Sequence, residues 1–129
     1  MTQRVLITGG AVRLGAAFCQ AFADAGWEVV CHHHRSSEAA RALQLALGPR
    51  LHLVQAELGD EPQRQRLMAE VHERFGPLHA LVNNASLFEP DSGTDFNPEV
   101  ARRQLEVNLL APLSLSRWLV RHWRDAGTG

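Results

Sequence analysis

The stretch Val5–Gly15, which has the sequence VLITGGAVRLG, decides the fold. Residues 5–8 form a short branched apolar run that predicts a buried strand, and helical periodicity begins at Leu14. Gly9 can make the tight turn between them, Gly15 lets the helix pack closely on the strand, and free N–H groups at the helix start suit a diphosphate. A simple strand-to-helix turn is the alternative, but a strand before the glycines and a helix after them favour nucleotide binding.

Outward from this stretch, short apolar runs alternate with segments of helical periodicity. Strands are predicted at residues 5–8, 27–31, 51–55 and 78–82. Helices are predicted at 14–25, from Ser36 or Ser37 to Leu47, from an Asp60 cap to Gly76-Pro77, and from about Pro98 to Arg124 with a bend at Pro112. The first helix is expected to turn one apolar face inward, formed by Leu14, Ala17, Phe18, Ala21 and Phe22. The order βαβαβαβα predicts an α/β fold in which helices cover both faces of a doubly wound parallel sheet.

Composition excludes several classes of function. The 129 residues carry 13 Arg and no Lys against 14 acidic residues, so no basic surface is expected for nucleic acid or for an anionic membrane. No apolar run approaches the ~18 residues of a membrane helix, and the chain opens directly on the first strand, so we expect a cytoplasmic protein. Cys19 and Cys31 stand singly in apolar stretches, which favours buried thiols over a disulfide or a zinc site.

The end of the second predicted strand carries the cofactor signal. The residues Cys31-His32-His33-His34-Arg35-Ser36 contain no carboxylate, which a site for the ribose hydroxyls of NAD would need there. Arg35 can instead clamp a 2′-phosphate, Ser36 can donate to it and His34 can add a donor, so we expect NADP(H) rather than NAD(H). Successive strand residues point to opposite faces, so the three histidines are not expected to bind one metal ion, and a solvated surface run is the other alternative.

Two residues depart from what their positions usually carry. Arg13 stands where many dinucleotide-binding loops have their middle glycine, and its guanidinium can meet a phosphate or a substrate group. Asn108 lies among apolar residues of the last predicted helix, where a buried, satisfied structural Asn is the more common case. Pro112 cannot donate to the Asn108 carbonyl, which frees an acceptor there and hints at function.

The fourth predicted strand runs into Asn83-Asn84-Ala85-Ser86-Leu87-Phe88. The small Ala85 would let a cofactor ring approach the backbone, and Asn83 or Asn84 can tie neighbouring strand ends through the side-chain amide. An Asx turn that merely closes the strand is equally open. Phe88 is either a core contact or an aromatic wall for a flat heterocycle.

Together these residues resemble the short-chain dehydrogenase/reductase family, through Thr8-Gly9-x-x-x-Arg13-x-Gly15, Asn83-Asn84-Ala85 and Asn108. Within it the chain is most similar to the pteridine reductases and the bacterial dihydromonapterin reductases. The marks of that similarity are Arg13, the run His32-x-His34-Arg35-Ser36 and Asn84-Ala85-Ser86-x-Phe88. The likeness spans essentially the whole chain and implies a Rossmann-like fold, NADP(H) as cofactor, and a pterin or dihydropterin as substrate.

The resemblance also implies a role for each matching residue. His34, Arg35 and Ser36 would hold the 2′-phosphate. Arg13 would lie near the diphosphate and the pterin, Phe88 would stack on the pterin, and Asn108 would position a water relay. Glu57-Leu58 would lie beside the adenine, since it occupies the position where the family usually has Asp followed by Leu or Val. The implied cofactor-binding residues are Gly9, Arg13, Leu14, Gly15, His34, Arg35, Ser36, Glu57, Leu58, Asn84, Ala85 and Ser86, and the implied substrate-binding residues are Arg13, Ser86 and Phe88.

The family's catalytic pair has no counterpart in this sequence. Members protonate their substrate with the Tyr of a Tyr-x-x-x-Lys motif, and this chain contains neither residue type. We therefore expect residues 1–129 to be an incomplete NADP-binding domain, the cofactor-binding half of an NADPH-dependent pterin reductase, and to be inactive alone. The fourth strand would then be a sheet edge, and the last helix would expose Leu109, Leu113, Leu119 and Val120.

Two other functions stay open. One is an NADPH-dependent carbonyl reductase of the same fold, in which Ser86 and Phe88 have no special role. The other is a noncatalytic module that binds NADP(H) or a partner. The expected binding partner is a small, pterin-like heterocycle, and the family likeness implies a homo-oligomer, a tetramer, with the last helix at a dimer interface.

Overall fold

Four parallel strands form the centre of the protein, in a computed structural model that describes residues 2–87 and 97–127. The strands are Arg4–Ile7 (β1), Glu28–His33 (β2), Leu51–Gln55 (β3) and Ala80–Val82 (β4). The helices are Arg13–Asp24 (α1), Ser37–Leu47 (α2), Glu61–Phe75 (α3), Pro98–Leu105 (α4) and Ala111–Asp125 (α5). A 3-10 turn, Gly48–Arg50, precedes β3, and a π-helical segment, Glu106–Leu110, joins α4 to α5.

The strand order β3-β2-β1-β4 places the first strand inside the sheet. Leu6 of β1 lies opposite Val30 of β2 on one side and Leu81 of β4 on the other, and both pairings are parallel. The chain moves outward from β1 to β3 and returns to the far side of β1 for β4, which is an edge of the described sheet. Such a reversal opens a crevice at the carboxyl ends of the strands. The predicted doubly wound, Rossmann-like parallel sheet is confirmed.

Alternate strand residues feed two cores, one on each face of the sheet. Val5 and Ile7 of β1 pack with Cys19 of α1 on one face. Leu6, between them, points to the other face and joins Leu115 of α5. Strands with apolar residues on both faces are typical of a parallel sheet, because helices cover it on both sides.

The residues through which helix α1 contacts the sheet differ from those that its sequence predicts. Gly15 and Cys19 are its buried residues. The residues predicted inward but found exposed are Leu14, Ala17 and Ala21, and those that do pack against the core are Phe18 and Phe22. The prediction was wrong for the first three because the helix approaches the sheet through its smallest residue. A methyl group on Gly15 would overlap the carbonyl oxygen of Gly9.

The last helical stretch is continuous but is not a single α-helix. Between residues 106 and 110 it widens into a π-helix, in which the Ala111 N–H donates to the Glu106 carbonyl five residues back. Pro112 follows at once and has no N–H to offer the Asn108 carbonyl. The irregularity expected near Pro112 therefore takes the form of a π-helical segment.

The exposed face of this stretch differs from the prediction at one residue. Leu109, Leu113 and Val120 are 51%, 61% and 50% exposed, as expected for an unpaired apolar face. Leu119 is only 3% exposed, so its predicted exposure was wrong. It lies one helical turn after Leu115, which puts both side chains in the core shared with α3. None of the helices in residues 2–87 and 97–127 has the length and apolar character that a bilayer crossing requires.

A side chain of helix α3 bridges the loop after β3 and the π-helical segment. The Asp60 carboxylate accepts from the Gln63 N–H and caps the helix, as predicted. Arg64 is 4% exposed; its Nη1 donates to the Leu58 carbonyl at 2.8 Å and pairs with Glu106 at 3.1 Å. This buried cation thus holds the π-helical segment against the loop that follows β3.

An ion-pair cluster closes the amino end of the sheet. Arg4 Nε donates to Glu28 Oε1 at 3.0 Å, and His52 Nε2 lies 3.3 Å from the same oxygen. The hydrogen bond from Arg4 lowers the pKa of the Glu28 carboxyl below its ordinary value. A carboxylate with a lowered folded-state pKa stabilises the fold above its unfolded pKa, and this contribution is lost as the pH falls through the folded pKa.

Glu28→Gln should therefore lower the free energy of unfolding by about 1 kcal/mol near neutral pH. The difference from the wild type should shrink in acid, since the wild-type carboxyl is then protonated as well. Urea titrations at about pH 7 and about pH 3 measure both values, and Glu73→Gln, at an exposed position of α3, is the matched control. A deficit that persists unchanged at the acid pH would contradict the assignment.

Candidate nucleotide-binding site

A cleft of about 700 Å³ opens at the carboxyl ends of the strands. Its walls come from the turn after β1, the end of β2, the loops after β3 and β4, and the α4 region. The lining residues are Gly9, Val12, Arg13, Leu14, His32, His34, Arg35, Ser36, Glu57, Leu58, Asn84, Ala85, Ser86, Leu87, Arg103 and Val107. Of the twelve residues that the sequence suggests for the cofactor, eleven line this cleft, and Gly15 is buried behind it.

The turn after β1 is held by four hydrogen bonds, one to each polar backbone group of Gly9 and Gly10. The Gly9 N–H donates to His32 Nδ1, and the Gly9 carbonyl accepts from Asn84 Nδ2, both at 3.0 Å. The Gly10 N–H donates to the His32 carbonyl at 2.9 Å, and the Gly10 carbonyl accepts from the Cys19 thiol at 3.4 Å. Because the N–H and carbonyl groups of Gly9 and Gly10 are all paired within the protein, the backbone donors that a ligand can use are those at the start of α1.

Gly9 and Gly15, the first and last glycines of the turn motif, lie where a side chain would clash with neighbouring atoms. Gly9 has a φ of +62°, and a Cβ there would lie 2.8 Å from Ala85 Cα. A Cβ on Gly15 would overlap the Gly9 carbonyl oxygen and lie 2.7 Å from Asn84 Nδ2. The tight turn at Gly9 and the close helix packing at Gly15 are thus found as their sequence positions predict.

Helix α1 begins at Arg13, whose backbone is left-handed with a φ of +52°. Many dinucleotide-binding loops have a glycine at this position. Arg13 therefore has the backbone conformation that favours glycine, although it carries a side chain. Val12, at the N-cap, supplies no side-chain hydrogen bond. The first N–H groups of a helix have no partners within it, so this end presents donors and the positive pole of the helix dipole to the cleft.

The buried His32 links three strand ends. It is 3% exposed, its Nδ1 accepts from the Gly9 N–H, and its Nε2 lies 2.9 Å from the Ala56 carbonyl. Because Nδ1 accepts, Nε2 carries the proton and donates it to Ala56. Burial lowers the pKa of His32 to about 4, so the ring is neutral near pH 7. In the described residues no three side chains of His, Cys, Asp or Glu form a group that could hold a metal ion.

The end of β2 brings a guanidinium, a hydroxyl and a histidine to the cleft. Arg35 is exposed, and Ser36 occupies the N-cap position of α2 without a capping bond from its hydroxyl. His34 Nδ1 lies 3.1 Å from Glu57 Oε2, while Glu57 Oε1 accepts from the Gly59 N–H at 2.7 Å. A carboxylate from the loop after β3 thus stands at the same end of the cleft as the predicted 2′-phosphate residues.

The end of β4 is tied to the end of β1. The Asn84 and Ala85 N–H groups both donate to Thr8 Oγ1 at 3.0 Å, and the Asn84 amide side chain reaches the turn. Asn83 Nδ2 donates instead to Ser116 Oγ of α5 at 3.1 Å. The prediction that one of these asparagines ties neighbouring strand ends is confirmed for Asn84, and Asn83 ties its strand to a helix.

Asn108 clamps the loop after β4. Its Oδ1 accepts from the Leu87 N–H at 2.7 Å, and its Nδ2 donates to the Leu87 carbonyl at 2.8 Å. The residue is exposed, so the expectation of a buried Asn was wrong; the π-helical turn carries it to the surface beside the loop. Asn108 does not line the cleft, whereas Ser86, just before Leu87, does. Phe88 lies outside the described residues.

Comparison with known proteins matches residues 3–129 to the family model of short chain dehydrogenases. The chain belongs to the short-chain dehydrogenase family. The short chain dehydrogenase/reductase dpchG of Colletotrichum higginsianum is 40% identical over 119 residues, which are 90% of this chain and 44% of that protein.

Two solved structures are similar to this chain in fold and sequence. A short chain dehydrogenase from Burkholderia cenocepacia, in complex with NADP, is 32% identical with a TM-score of 0.86, over 92% of this chain and 50% of that one. FolM Alternative dihydrofolate reductase 1 from Brucella canis, complexed with NADP, is 33% identical with a TM-score of 0.80, over 89% of this chain and 48% of that one. The chain thus spans about half the length of these relatives.

Several residues of this short-chain dehydrogenase site have no signal in the predicted motifs. The sequence pattern places His32 only within a histidine run, and Thr8 only at the end of the first predicted strand and the start of the glycine motif. The alternation of side chains along β2 could have indicated that His32 is buried, because His32 lies on the same face of the strand as the buried Val30. A buried imidazole there needs two hydrogen-bond partners. Arg103 and Val107 also line the cleft, but nothing in the sequence around them indicates it.

Arg13→Gly should give a more stable protein than Arg13→Ala, by about 1 kcal/mol, since both lose the side chain and only glycine relieves the left-handed backbone. At an ordinary helix position the order is reversed, so Ala17→Gly, on the exposed side of α1, should cost about 1 kcal/mol. Urea unfolding of the three variants tests this. Equal stability of the two Arg13 variants would show that the backbone at this position carries no strain.

Proposed function

We propose that residues 1–129 form an NADP-binding domain and that NADP(H) binds in the cleft at the carboxyl ends of the strands. The observation that carries this proposal is the presence of the uncapped start of α1 and the Arg35-Ser36 pair in one cavity. A dinucleotide phosphate carries two separated anionic groups, and each of these features suits one of them.

The residues of the cleft fit NADP(H). Gly9 and Gly15 leave open the space that a side chain would fill, which lets the diphosphate approach the start of α1. Arg35, Ser36 and His34 would hold the 2′-phosphate. Glu57 opposes an anion there, and its carboxylate lies 3.1 Å from His34 Nδ1. Two proteins of similar fold, the short chain dehydrogenase from Burkholderia cenocepacia and FolM Alternative dihydrofolate reductase 1 from Brucella canis, were solved with NADP, which supports the proposal.

The double variant Arg35→Ala with Ser36→Ala should weaken NADPH binding by about tenfold or more and leave NADH binding nearly unchanged, because only NADPH carries the 2′-phosphate. Calorimetric titration of the purified chain with each cofactor measures both affinities. Arg50→Ala is the control for the loss of positive charge, because Arg50 is an exposed arginine at the amino end of β3, away from the cleft. Equal losses for the two cofactors would refute the 2′-phosphate assignment.

We further propose that the substrate is a pterin or a dihydropterin. Arg13 and Ser86 line the cleft, where they could bind the polar edge of such a heterocycle. The similarity to FolM Alternative dihydrofolate reductase 1 supports a substrate of this class. Phe88 would stack on the ring.

In this reaction NADPH supplies a hydride when it is bound, and a carbon–nitrogen double bond that accepts it also takes up one proton at nitrogen. The side-chain amide of Asn108 already holds Leu87 and so orients the loop that carries Ser86. We assign the water relay to the Asn108 main-chain carbonyl, which Pro112 leaves without an α-helical donor. Residues 1–129 contain no Tyr and no Lys, so we assign the proton donor to sequence outside them.

The 129-residue chain should therefore bind NADPH without oxidising it in the presence of a dihydropterin. The protein with the sequence that follows residue 129 in its gene should turn over dihydropterins and dihydrofolate with a kcat/KM about tenfold or more above that for simple ketones. The decrease in NADPH absorbance measures both. Higher efficiency on ketones would favour a carbonyl reductase, and binding without turnover in both forms would favour a noncatalytic module.

A further inference from the structure

The side chain and the main chain of His32 both hold the turn after β1. Its carbonyl accepts from the Gly10 N–H, and its Nδ1 accepts from the Gly9 N–H one residue earlier. The opposite ring nitrogen donates to the Ala56 carbonyl, just before Glu57-Leu58. One buried imidazole thus spans from the glycine turn to the loop at the far end of the cleft.

We propose that His32 is a positioning residue for the cofactor, in that Nδ1 fixes the orientation of the Thr8–Gly9 peptide and thereby sets where the start of α1 meets the diphosphate. This inference rests on the proposed binding of NADP(H). It assigns His32 no contact with the 2′-phosphate, which distinguishes it from Arg35 and Ser36.

Three observations support the role. Among the described residues, His32 Nδ1 is the acceptor for the Gly9 N–H, which belongs to the Thr8–Gly9 peptide, so loss of this bond leaves that N–H unpaired and lets the peptide rotate. Rotation matters because a Cβ at Gly9 would already touch Ala85, which shows how close the turn lies to the end of β4. The neutral ring can accept at Nδ1, whereas an imidazolium cannot, and burial keeps the pKa of His32 low enough to preserve the acceptor.

The two amide side chains divide the bonds of the imidazole between them. In His32→Asn, Oδ1 can stand near the position of Nδ1 and accept from Gly9, but the side chain is too short to reach Ala56. In His32→Gln, Nε2 can reach Ala56, but a methylene stands near the position of Nδ1. Each variant loses one buried hydrogen bond, so their unfolding free energies should be similar, and only the bond to Gly9 separates them.

We expect His32→Asn to bind NADPH within about threefold of the wild type and His32→Gln to bind it about tenfold or more weakly. NADH affinity, measured in the same calorimetric titrations, should fall by the same factor as NADPH affinity in His32→Gln, because both cofactors share the diphosphate. Equal NADPH affinities for the two variants, or a change in the NADPH-to-NADH ratio, would overturn the inference. If the wild type does not bind NADPH, the proposed function fails and the inference with it.

A measurement on the wild type covers the case in which His32→Gln does not fold. Nitrogen-15 NMR of the histidine ring should show a neutral Nε2–H tautomer, with an Nδ1 resonance that shifts when NADPH is added. The Nδ1–H tautomer, or a resonance that saturating NADPH leaves unchanged, would overturn the inference.

Discussion

The pairing of all four polar backbone groups of Gly9 and Gly10 is the constraint on which the rest of the site depends. The partners come from β2, from the residues after β4 and from α1, so the turn is fixed on three sides. An unpaired backbone group in this largely buried region would cost about as much as a lost hydrogen bond. The turn therefore holds the start of α1 at one position above the sheet, and the cleft takes its shape from that position.

Arg13 shows where this chain accepts strain beside the cleft. Its left-handed backbone costs a side-chain-bearing residue about 1–2 kcal/mol, and glycine would avoid that cost. A strained arginine that lines a cleft is a functional candidate, since strain persists where the surrounding structure over-determines it. Arg64 has a complementary structural role: it is buried between the Leu58 carbonyl and Glu106, and it joins the loop at one end of the cleft to the π-helical segment that bears Asn108.

Much of the fold and the cleft could be predicted from the sequence, because the cleft is built from strand ends. The pattern of residues 51–55 gave β3 with its observed bounds, and Asp60 caps α3 as expected. A parallel sheet gathers carboxyl ends at one edge, so Gly9, Arg35 and Asn84 could be assigned to one cleft although they lie far apart in the chain. Three of the five residues on the predicted inward face of α1 and the exposure of Leu119 were predicted wrongly, because periodicity identifies an apolar stripe but not the distance at which a helix meets its neighbour.

By itself the sequence determined the order of elements, the glycine turn, the Arg35-Ser36 pair and the lack of any Tyr or Lys. Only the tertiary structure decided that His32 joins Gly9 to Ala56, that Asn84 reaches the turn and that Asn108 holds Leu87. These bonds cross between strands and helices, and the register that pairs Ile7 with Cys31 and with Val82 fixes which side chains can meet. A shift of one residue in β2 would turn His32 to the opposite face of the sheet, and no local sequence pattern specifies that register.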